Sequence, residues 1–406
     1  MRGLIDETLT GGVYAVLDRR LAASSTAPLA VALSGGGDSL ALALLAADWA
    51  KVRGRRLLIL TVDHRLNPQS ADWTKTCAAH AARLGADFQA LAWNGDKPAR
   101  GLPAAARAAR HRLLAGAARK AGARVILMAH TASDIAEAAA MRVAGSTTPS
   151  PREWTPSPVW PEGRSVFLLR PMLHLARGEI RAWLAAHGET WIEDPANADL
   201  RFARARARAA GADLALPEPA NQPPAADVEV DAAGVVSLPR TALTPRALAV
   251  ACLCAAGAER PPRAERLARI IALTATGAPF IATLAGARIE ASTDRLSIMR
   301  EPGELVRRPP APLILAAGEA GVWDGRFEIA ADRPARIVPL AGLAARLPPL
   351  DAAALREAPA KARAALPAEA EPPRLRIASG AGLTVRCLVE ERLLAALGAV
   401  DREPAA

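Results

Sequence analysis

Six consecutive residues of the chain combine side chains that could bind a phosphorylated ligand. They are Ser34, Gly35, Gly36, Gly37, Asp38 and Ser39. The two hydroxyl groups can donate hydrogen bonds to phosphate oxygens, and glycines let backbone N–H groups approach a ligand closely. The carboxylate of Asp38 can hold Mg²⁺ beside phosphates, although an ordinary acid in the first turn of a helix is the alternative.

The glycines lie between a predicted strand at residues 29–33 and a predicted helix at residues 40–49. A helix that begins there would direct unpaired N–H groups and the positive end of its dipole at an anion. The spacing does not fit a dinucleotide fingerprint, because Leu40 stands where the third glycine is needed. A Walker loop is excluded as well, since no lysine follows the glycines.

The first two hundred residues alternate short apolar runs with longer helical patterns. Strands are predicted at residues 29–33, 57–62, 88–93, 125–129 and 166–169, and helices at 40–49, 68–84, 103–121 and 133–143. This alternation is typical of βαβ units and predicts an α/β domain with a parallel sheet. The loops after each strand should then meet at the carboxyl edge of the sheet, beside the glycines.

Five further residues are candidates for chemistry at that edge. Arg107 and Arg110 share a helix face, as do Asp134 and Glu137, and His130 directly follows a strand. Each has a structural alternative: a solvated face for the arginines, helix capping for the acids and a buried core position for the histidine. Spacing alone does not decide between these alternatives.

Composition limits the partners. The chain has 406 residues, a formal net charge of +10 and a pI near 10.4, which suits a partner that carries phosphates. Because the basic residues are nearly all arginine and Ala and Pro are frequent, a genome rich in GC is a competing explanation. Four cysteines without a CxxC pair predict a reducing compartment and no structural metal. Without a leader or an apolar span, the expected location is cytoplasmic, with no membrane contact.

Changes in composition predict four parts of the chain. These are a catalytic domain at 1–215, a Pro-rich linker at 216–227, a helical and α+β domain at 228–302 and a C-terminal domain at 303–406. Helices are expected at 245–256 and 263–274, and strands at 280–284 and 295–299. The last region contains shorter strand candidates in GVWDGRFEIA and LRIASGAGLTVRC.

The hexapeptide SGGGDS resembles the SGGxDS pattern of the PP-loop ATP pyrophosphatases, and further motifs resemble one PP-loop family, the tRNA(Ile)-lysidine synthetases. The matching segments, in order, are VDHRLNPQSADW (62–73), ARAARHRLL (106–114), AHTASDIAEAAAMR (129–142), RPML (170–173) and WIEDPANADLRFARARAR (191–208). The resemblance covers about half of the chain. It implies an adenine nucleotide alpha hydrolase-like fold followed by smaller tRNA-binding domains.

The resemblance also implies a reaction and its participants. ATP with Mg²⁺ would adenylate the wobble cytidine of a tRNA(Ile) with a CAU anticodon, and free L-lysine would then displace AMP to form lysidine. Asp38 would carry the metal, Arg107 and Arg110 would stabilise phosphate or base charge, and Asp134 and Glu137 would position or deprotonate the lysine amine. The candidate residues on the tRNA side are Asp194, Asn197, Arg201, Arg204 and Arg208. A simple turn and a solvated arginine face are the alternatives for this last group.

The chain departs from the family pattern at several positions. Thr131 stands in place of a second histidine, Ser133 in place of a second aspartate and Ile135 in place of a glutamine, while AGST replaces RGSG at 144–147. Two alternatives therefore remain: another PP-loop tRNA-modifying enzyme, or a non-catalytic ATP-responsive tRNA-binding protein. A thiolase is disfavoured because its iron–sulfur chemistry needs cysteines, and Cys252 and Cys254 fit a helix core better. The oligomeric state stays open, with a homodimer as one candidate.

Overall fold

A computed structural model describes residues 2–145, 150–194, 206, 227–241 and 243–404. The chain forms two compact units, Met1–Asn221 with Val400–Ala406, and Gln222–Ala399. The finer division from the sequence, at residues 215, 227 and 302, stays a prediction.

The first unit is built on one six-stranded sheet. Its strands are β1 (Leu29–Ala32), β2 (Leu57–Asp63), β3 (Asp87–Ala92), β4 (Val125–Leu127), β5 (Trp154–Pro156) and β6 (Phe167–Leu169). The strand order is β3–β2–β1–β4–β6–β5, and every pairing is parallel except that of β5 with β6. The carboxyl ends of five strands therefore meet at one edge of the sheet.

Helices cover both faces of this sheet. They are α1 (Arg2–Arg20), α2 (Gly37–Val52), α3 (Ser70–Arg83), α4 (Leu102–Lys120), α5 (Ala132–Val143) and α6 (Arg177–Ala186). Successive side chains of a strand point to opposite faces. Leu29 and Val31 accordingly join a core with α1, α2 and α6, whereas Ala30 joins a second core with α4.

The predicted α/β class is confirmed, with all five predicted strands and all four predicted helices of this unit present near their expected positions. Sequence reasoning missed α1, α6 and β5. The first of these contains Gly11 and Gly12, which weaken a helix pattern, and the last is three residues long and ends in Pro156.

Residues beyond 399 return to the first unit and are anchored there by a buried ion pair. The carboxylate of Glu403 accepts hydrogen bonds from both Nη atoms of Arg55, and both side chains are almost completely buried. Glu403 also accepts from the backbone N–H of Ala22 and the hydroxyl of Ser25. This short segment is therefore part of the first unit's interior.

The second unit contains a five-stranded antiparallel sheet with helices packed on it. The strands are β7 (Glu229–Val230), β8 (Val236–Pro239), β9 (Phe280–Leu284), β10 (Ala287–Ala291) and β11 (Arg295–Arg300), in the order β7–β8–β11–β10–β9. Two helices, α7 (Pro245–Ala255) and α8 (Ala264–Ala275), contribute to its core. The predicted helices and strands of this region are confirmed, while β7, β8 and β10 were missed.

The rest of the second unit consists of short elements. Most of them surround a further core, whereas the last helix packs in the core of the antiparallel sheet. They are α9 (Pro302–Arg307), β12 (Leu313–Leu315), β13 (Ala320–Trp323), β14 (Phe327–Ala331), β15 (Ala335–Pro339), α10 (Pro349–Glu357), β16 (Pro367–Ala370), β17 (Pro373–Leu375), β18 (Leu383–Cys387) and α11 (Val389–Leu397). The segment GVWDGRFEIA forms the hairpin of β13 and β14. None of the described helices has the length and apolar character that a membrane-spanning helix needs.

Candidate active site at the carboxyl edge of the sheet

The glycine loop connects β1 to α2 and requires glycine at its first position. Gly35 has a φ of +85°, and a Cβ there would lie 2.4 Å from Cδ1 of Ile192. The backbone N–H of Ile192 donates to the carbonyl of Gly35 at 2.9 Å, which explains the close approach. Because α2 begins at Gly37, the predicted turn from strand to helix N-terminus is confirmed.

The two serines of the loop have different surroundings. The hydroxyl of buried Ser39 donates to the carbonyl of Gly36 at 2.8 Å and accepts from the N–H of Ser34 at 3.2 Å. Ser34 is exposed, and its hydroxyl lies 3.1 Å from that of Ser39. Ser39 thus holds the loop in shape while Ser34 faces outward; their contacts with phosphate stay a prediction.

Three carboxylates meet around one guanidinium at the end of this loop. Arg177, the first residue of α6, donates through Nε to Oδ2 of Asp38 at 3.0 Å. Its Nη1 donates to Oε1 of Glu137 at 2.9 Å, and its Nη2 to Oδ1 of Asp134 at 3.3 Å. We call these four residues the acidic cluster. The predicted meeting of loop and acids is found, but sequence reasoning missed the arginine that joins them.

Asp134 also caps α5, so the structural alternative for this residue is found together with the predicted location. Its Oδ2 accepts from the N–H of Thr131 at 2.8 Å and from the Thr131 hydroxyl at 3.0 Å. The hydroxyl of Ser133 accepts from the N–H of Arg177 at 3.3 Å. Two of the positions that depart from the family pattern therefore support the acidic cluster.

Charge and burial compete within the acidic cluster. Burial raises the pKa of Asp38, against the opposing effect of Arg177. Burial would lower the pKa of Arg177, but hydrogen bonds and attraction from Glu137, Asp134 and Asp38 outweigh it and raise that pKa. The guanidinium therefore stays charged and neutralises one of the three carboxylates.

Within the acidic cluster, Asp38 is the residue that could hold a magnesium ion shared with phosphates. The side chain of Asp38 is 21% exposed and supplies hard oxygen donors at a helix N-terminus. No group of three or more His, Cys, Asp or Glu side chains among the described residues is arranged as a metal site. Mg²⁺ is commonly held by one or two carboxylates together with substrate phosphates and water, which agrees with this donor set.

A second cluster at the same edge is positive. Arg170, which follows β6, donates through Nε to Nδ1 of His130 at 3.2 Å and through Nη1 to the carbonyl of Arg152 at 2.7 Å. Burial lowers its pKa to about 10, and repulsion from Arg107 and Arg110 contributes. We call Arg107, Arg110, Arg170, His111 and His130 the basic cluster.

The charge of Arg170 is not neutralised locally. Its third acceptor is the hydroxyl of Thr155 at 3.2 Å, and within the described ranges it forms no ion pair with a carboxylate. His130 is buried and accepts from this arginine, so the core-histidine alternative is found. A buried guanidinium with only neutral acceptors is costly unless an anion joins it.

His111 is the most deeply perturbed titratable group of the basic cluster. It is 3% exposed, and neither ring nitrogen has a hydrogen-bond partner among the described residues. Burial lowers its pKa to about 3, and Arg110, Arg107 and Arg170 add repulsion. His111 is therefore neutral at physiological pH.

The remaining predicted residues are placed only in part. Asp194 lies half-buried, two residues after Ile192, whose backbone contacts the glycine loop. Asn197, Arg201, Arg204 and Arg208 lie outside the described residues. Arg206, the single described residue of that segment, is exposed.

Cys252 and Cys254 lie in α7 as core residues, as expected. Both are buried, and burial raises the pKa of each thiol to about 12. These thiols are therefore protonated and packed against apolar neighbours.

Comparisons with known proteins identify the family of this chain. A family model described as a PP-loop domain matches residues 13–211. A tRNA(Ile)-lysidine synthase of Caulobacter vibrioides is 51% identical to this chain over 402 residues, which cover 96% of this chain and 98% of that protein. A tRNA(Ile)-lysidine synthase of Methylobacterium sp. (strain 4-46) is 38% identical over 311 residues, covering 67% of this chain and 88% of that protein.

One solved structure matches part of this chain at low sequence identity. The U34-tRNA thiolase NcsA from Methanococcus maripaludis with its 4Fe-4S cluster has a TM-score of 0.43 and 15% identity, covering 51% of this chain and 72% of that chain. A similarity of this size carries no argument about activity.

Proposed function

Because this chain belongs to the family of tRNA(Ile)-lysidine synthases, we propose how its two charged clusters carry out the family's reaction. The protein is an ATP-dependent ligase that forms lysidine on tRNA(Ile). The observation that carries the assignment is the 51% identity over 96% of the chain. The site geometry adds a nucleotide loop whose Asp38 is linked through Arg177 to the acids of α5.

The first step is adenylation of the wobble cytidine in a CAU anticodon. The carbonyl oxygen on carbon 2 of the base attacks the α-phosphate of ATP, an O–P bond forms, and pyrophosphate leaves. The residues that bind ATP are those of the loop from Ser34 to Ser39. Backbone N–H groups at the start of α2 and the hydroxyl of exposed Ser34 would contact the phosphates.

The second step is attack by free lysine. The ε-amine forms a bond to carbon 2, the bond from carbon 2 to oxygen breaks, and AMP leaves with that oxygen. Asp134 and Glu137 are buried carboxylates one helical turn apart, suited to bind the ammonium and accept its proton. The Thr131 hydroxyl would keep Asp134 in position for this task.

Mg²⁺ is expected to bind together with ATP, with Asp38 as its protein ligand. When bound, Mg²⁺ would supply charge neutralisation on the phosphates of ATP. Asp38 is at the second position of α2 and is close enough to the glycine loop for that role.

The basic cluster is the counterpart for negative charge on the substrates. Arg107 is exposed and Arg110 half-buried, while Arg170 lies deeper. A ligand that bears phosphate would be attracted by this positive charge, so we assign to Arg107 and Arg110 contacts with phosphate or with charge that develops on the base. Arg170, which donates a hydrogen bond to His130, adds positive charge beside them.

The partners of this reaction are free L-lysine and a tRNA(Ile) with a CAU anticodon, and its place is the cytoplasm. The basic surplus of the chain suits tRNA binding, to which residues 228–302 and 303–406 would contribute together with Asp194, Asn197, Arg201, Arg204 and Arg208. A homodimer stays a prediction that sedimentation would test.

One experiment tests the proposed function. The purified protein is incubated with ATP, Mg²⁺, radiolabelled lysine and transcripts of tRNA(Ile) with a CAU anticodon, with the CAU transcript of tRNA(Met) as the control. Label that enters only the isoleucine transcript, with release of AMP and pyrophosphate, is the expected result. Retention of tRNA that depends on ATP but incorporates no label would contradict the catalytic assignment.

A further inference from the structure

Arg177 is the residue through which the nucleotide loop and the acids of α5 are connected. All three nitrogens of its guanidinium donate, each to a different carboxylate: Nε to Asp38, Nη1 to Glu137 and Nη2 to Asp134. The side chain is 17% exposed, so these bonds are formed largely out of water. Lysine could not replace this geometry, because it lacks a planar fork of donors.

The three contacts of Arg177 are not equivalent. The side chains of Asp134 and Glu137 are 9% and 4% exposed, and Oδ2 of Asp134 is committed to Thr131. Asp38 is 21% exposed and lies on a different helix, at the nucleotide loop. Asp38 is therefore the partner that is most accessible to an incoming cation.

The backbone of Arg177 is held against α5. Its N–H donates to the hydroxyl of Ser133 at 3.3 Å, and two residues earlier the carbonyl of Leu175 accepts from the N–H of Ala132 at 2.9 Å. These backbone contacts are made at the start of α5, the end of the helix that also carries Asp134 and Glu137. The hold of the guanidinium on those acids does not depend on its contact with Asp38.

Charge determines what must happen when nucleotide binds. Within the acidic cluster, three carboxylates face the one guanidinium of Arg177. Magnesium that binds Asp38 would bind the same carboxylate whose Oδ2 accepts a hydrogen bond from Nε of Arg177. The metal and the guanidinium are therefore alternative cations for the same carboxylate.

We propose that Arg177 is a positioning residue that fixes Asp134 and Glu137 for the lysine step and competes with magnesium nucleotide for Asp38. This inference rests on the proposed function, since it needs ATP at the glycine loop. It predicts that loss of Arg177 acts in opposite directions on the two steps. Nucleotide binding improves, because a competing cation is gone, while lysine transfer slows, because the acids lose their support.

The test uses Arg177→Met in the full chain, with Arg83→Met as the matched control. Arg83 makes a two-bond ion pair with Glu189 on the surface of the same unit. Calorimetry measures the affinity for a non-hydrolysable ATP analogue with Mg²⁺, and electron paramagnetic resonance measures Mn²⁺ binding with the same analogue. We expect roughly threefold tighter binding and a fall in the rate of lysine transfer of about tenfold or more for Arg177→Met, and no change for the control.

Two further variants distinguish a specific effect of Arg177 from a general loss of the fold. Arg177→Lys keeps a cation near Asp38 but loses the fork, so nucleotide affinity should stay at the wild-type value while lysine transfer falls. In an Asp38→Asn background, Arg177→Met should no longer improve nucleotide binding, since there is no carboxylate left to release. Thermal melting identifies any variant that has lost its fold.

The outcomes separate the inference from the function it rests on. Wild-type protein that transfers no lysine contradicts the proposed function. Active wild type, with Arg177→Met weakening nucleotide binding and lysine transfer in parallel, overturns the inference and leaves a purely structural arginine. Unchanged transfer in a folded Arg177→Met variant overturns it as well, as does improved nucleotide binding that persists in the Asp38→Asn background.

Discussion

The acidic and the basic cluster lie at the same edge of one sheet but are balanced in opposite ways. In the acidic cluster, Asp38, Asp134 and Glu137 all form ion pairs with one cation of the same chain, Arg177. In the basic cluster the buried Arg170 ends on a histidine nitrogen, a carbonyl and a hydroxyl, all of them neutral. The acidic cluster thus contains a cation of its own, Arg177. In the basic cluster, the buried cation Arg170 donates to neutral acceptors.

This difference indicates what each cluster receives. A group that already holds a cation can exchange it for another cation, such as a metal or an ammonium. A buried guanidinium with neutral acceptors is stabilised by an arriving anion, and phosphate is the anion that both ATP and tRNA carry. The two reactions of the ligase, on phosphate and on an amine, thus match two separate charge environments.

The largest expected effect is that of Asp134→Asn in the acidic cluster. Loss of a carboxylate that binds and deprotonates the amine should lower lysine transfer by about a hundredfold or more, while ATP binding stays measurable. Transfer of radiolabelled lysine and calorimetry with the ATP analogue measure the two quantities. Asp72→Asn, an exposed acid in the first turn of α3, is the control. Full activity of Asp134→Ala would remove these acids from the mechanism.

A smaller effect is expected from His111 in the basic cluster, and it depends on pH. Its pKa of about 3 in the folded protein lies below the ordinary 6.5, so the unfolded chain binds more protons between these values. The free energy of unfolding should therefore fall by up to about 1.4 kcal/mol for each pH unit below 6.5. The folded chain regains this proton only near pH 3.

Urea unfolding at pH 5 and at pH 7.5 measures this loss. His111→Phe should remove that part of the pH dependence, whereas His80→Phe, at a half-buried site on α3, should remove less. An unchanged pH dependence in His111→Phe would show that the basic cluster tolerates an added proton, and the proposed contrast between the clusters would fail.

The smallest effect is expected from Arg110, a half-buried arginine of the basic cluster on α4. Arg110→Met should weaken tRNA binding by about tenfold at low salt and reduce the slope of log affinity against log salt by roughly 0.7 to 0.9, if it contacts one phosphate. Arg112→Met is the matched control, because Arg112 lies on the same helix, is exposed and pairs with Glu162 at 3.5 Å. Equal salt slopes for Arg110→Met and Arg112→Met would contradict the assignment of a phosphate contact to Arg110 in particular.

The sequence predicted the elements and the convergence of the acids better than it predicted the groups that join them. Parallel strands bring their loops to one edge, so Asp38, Asp134 and Glu137 could be expected to meet there. Arg177 carried no such signal, because it is one basic residue among 51 and lies in a helix that was missed. Its role depends on contacts between helices, which spacing along one helix does not reveal.

For single residues, the structural role and the place in the site were treated as alternatives, but in the structure one residue can have both. Asp134 caps a helix and faces Arg177 with its other oxygen, so capping and a place in the site occur together. His130 is a buried histidine and also the acceptor of Arg170. Periodicity gives the face on which a residue lies, but not how many partners its side chain can serve there.

The buried pair of Arg55 and Glu403 has a consequence for the order in which the protein matures. The two residues are 348 positions apart, and the whole second unit lies between them. During synthesis, Arg55 cannot form this ion pair until residues beyond 399 have left the ribosome, and its guanidinium stays hydrated until then. The first unit therefore receives this buried charge pair only after the second unit has been translated, although most of the first unit is made earlier.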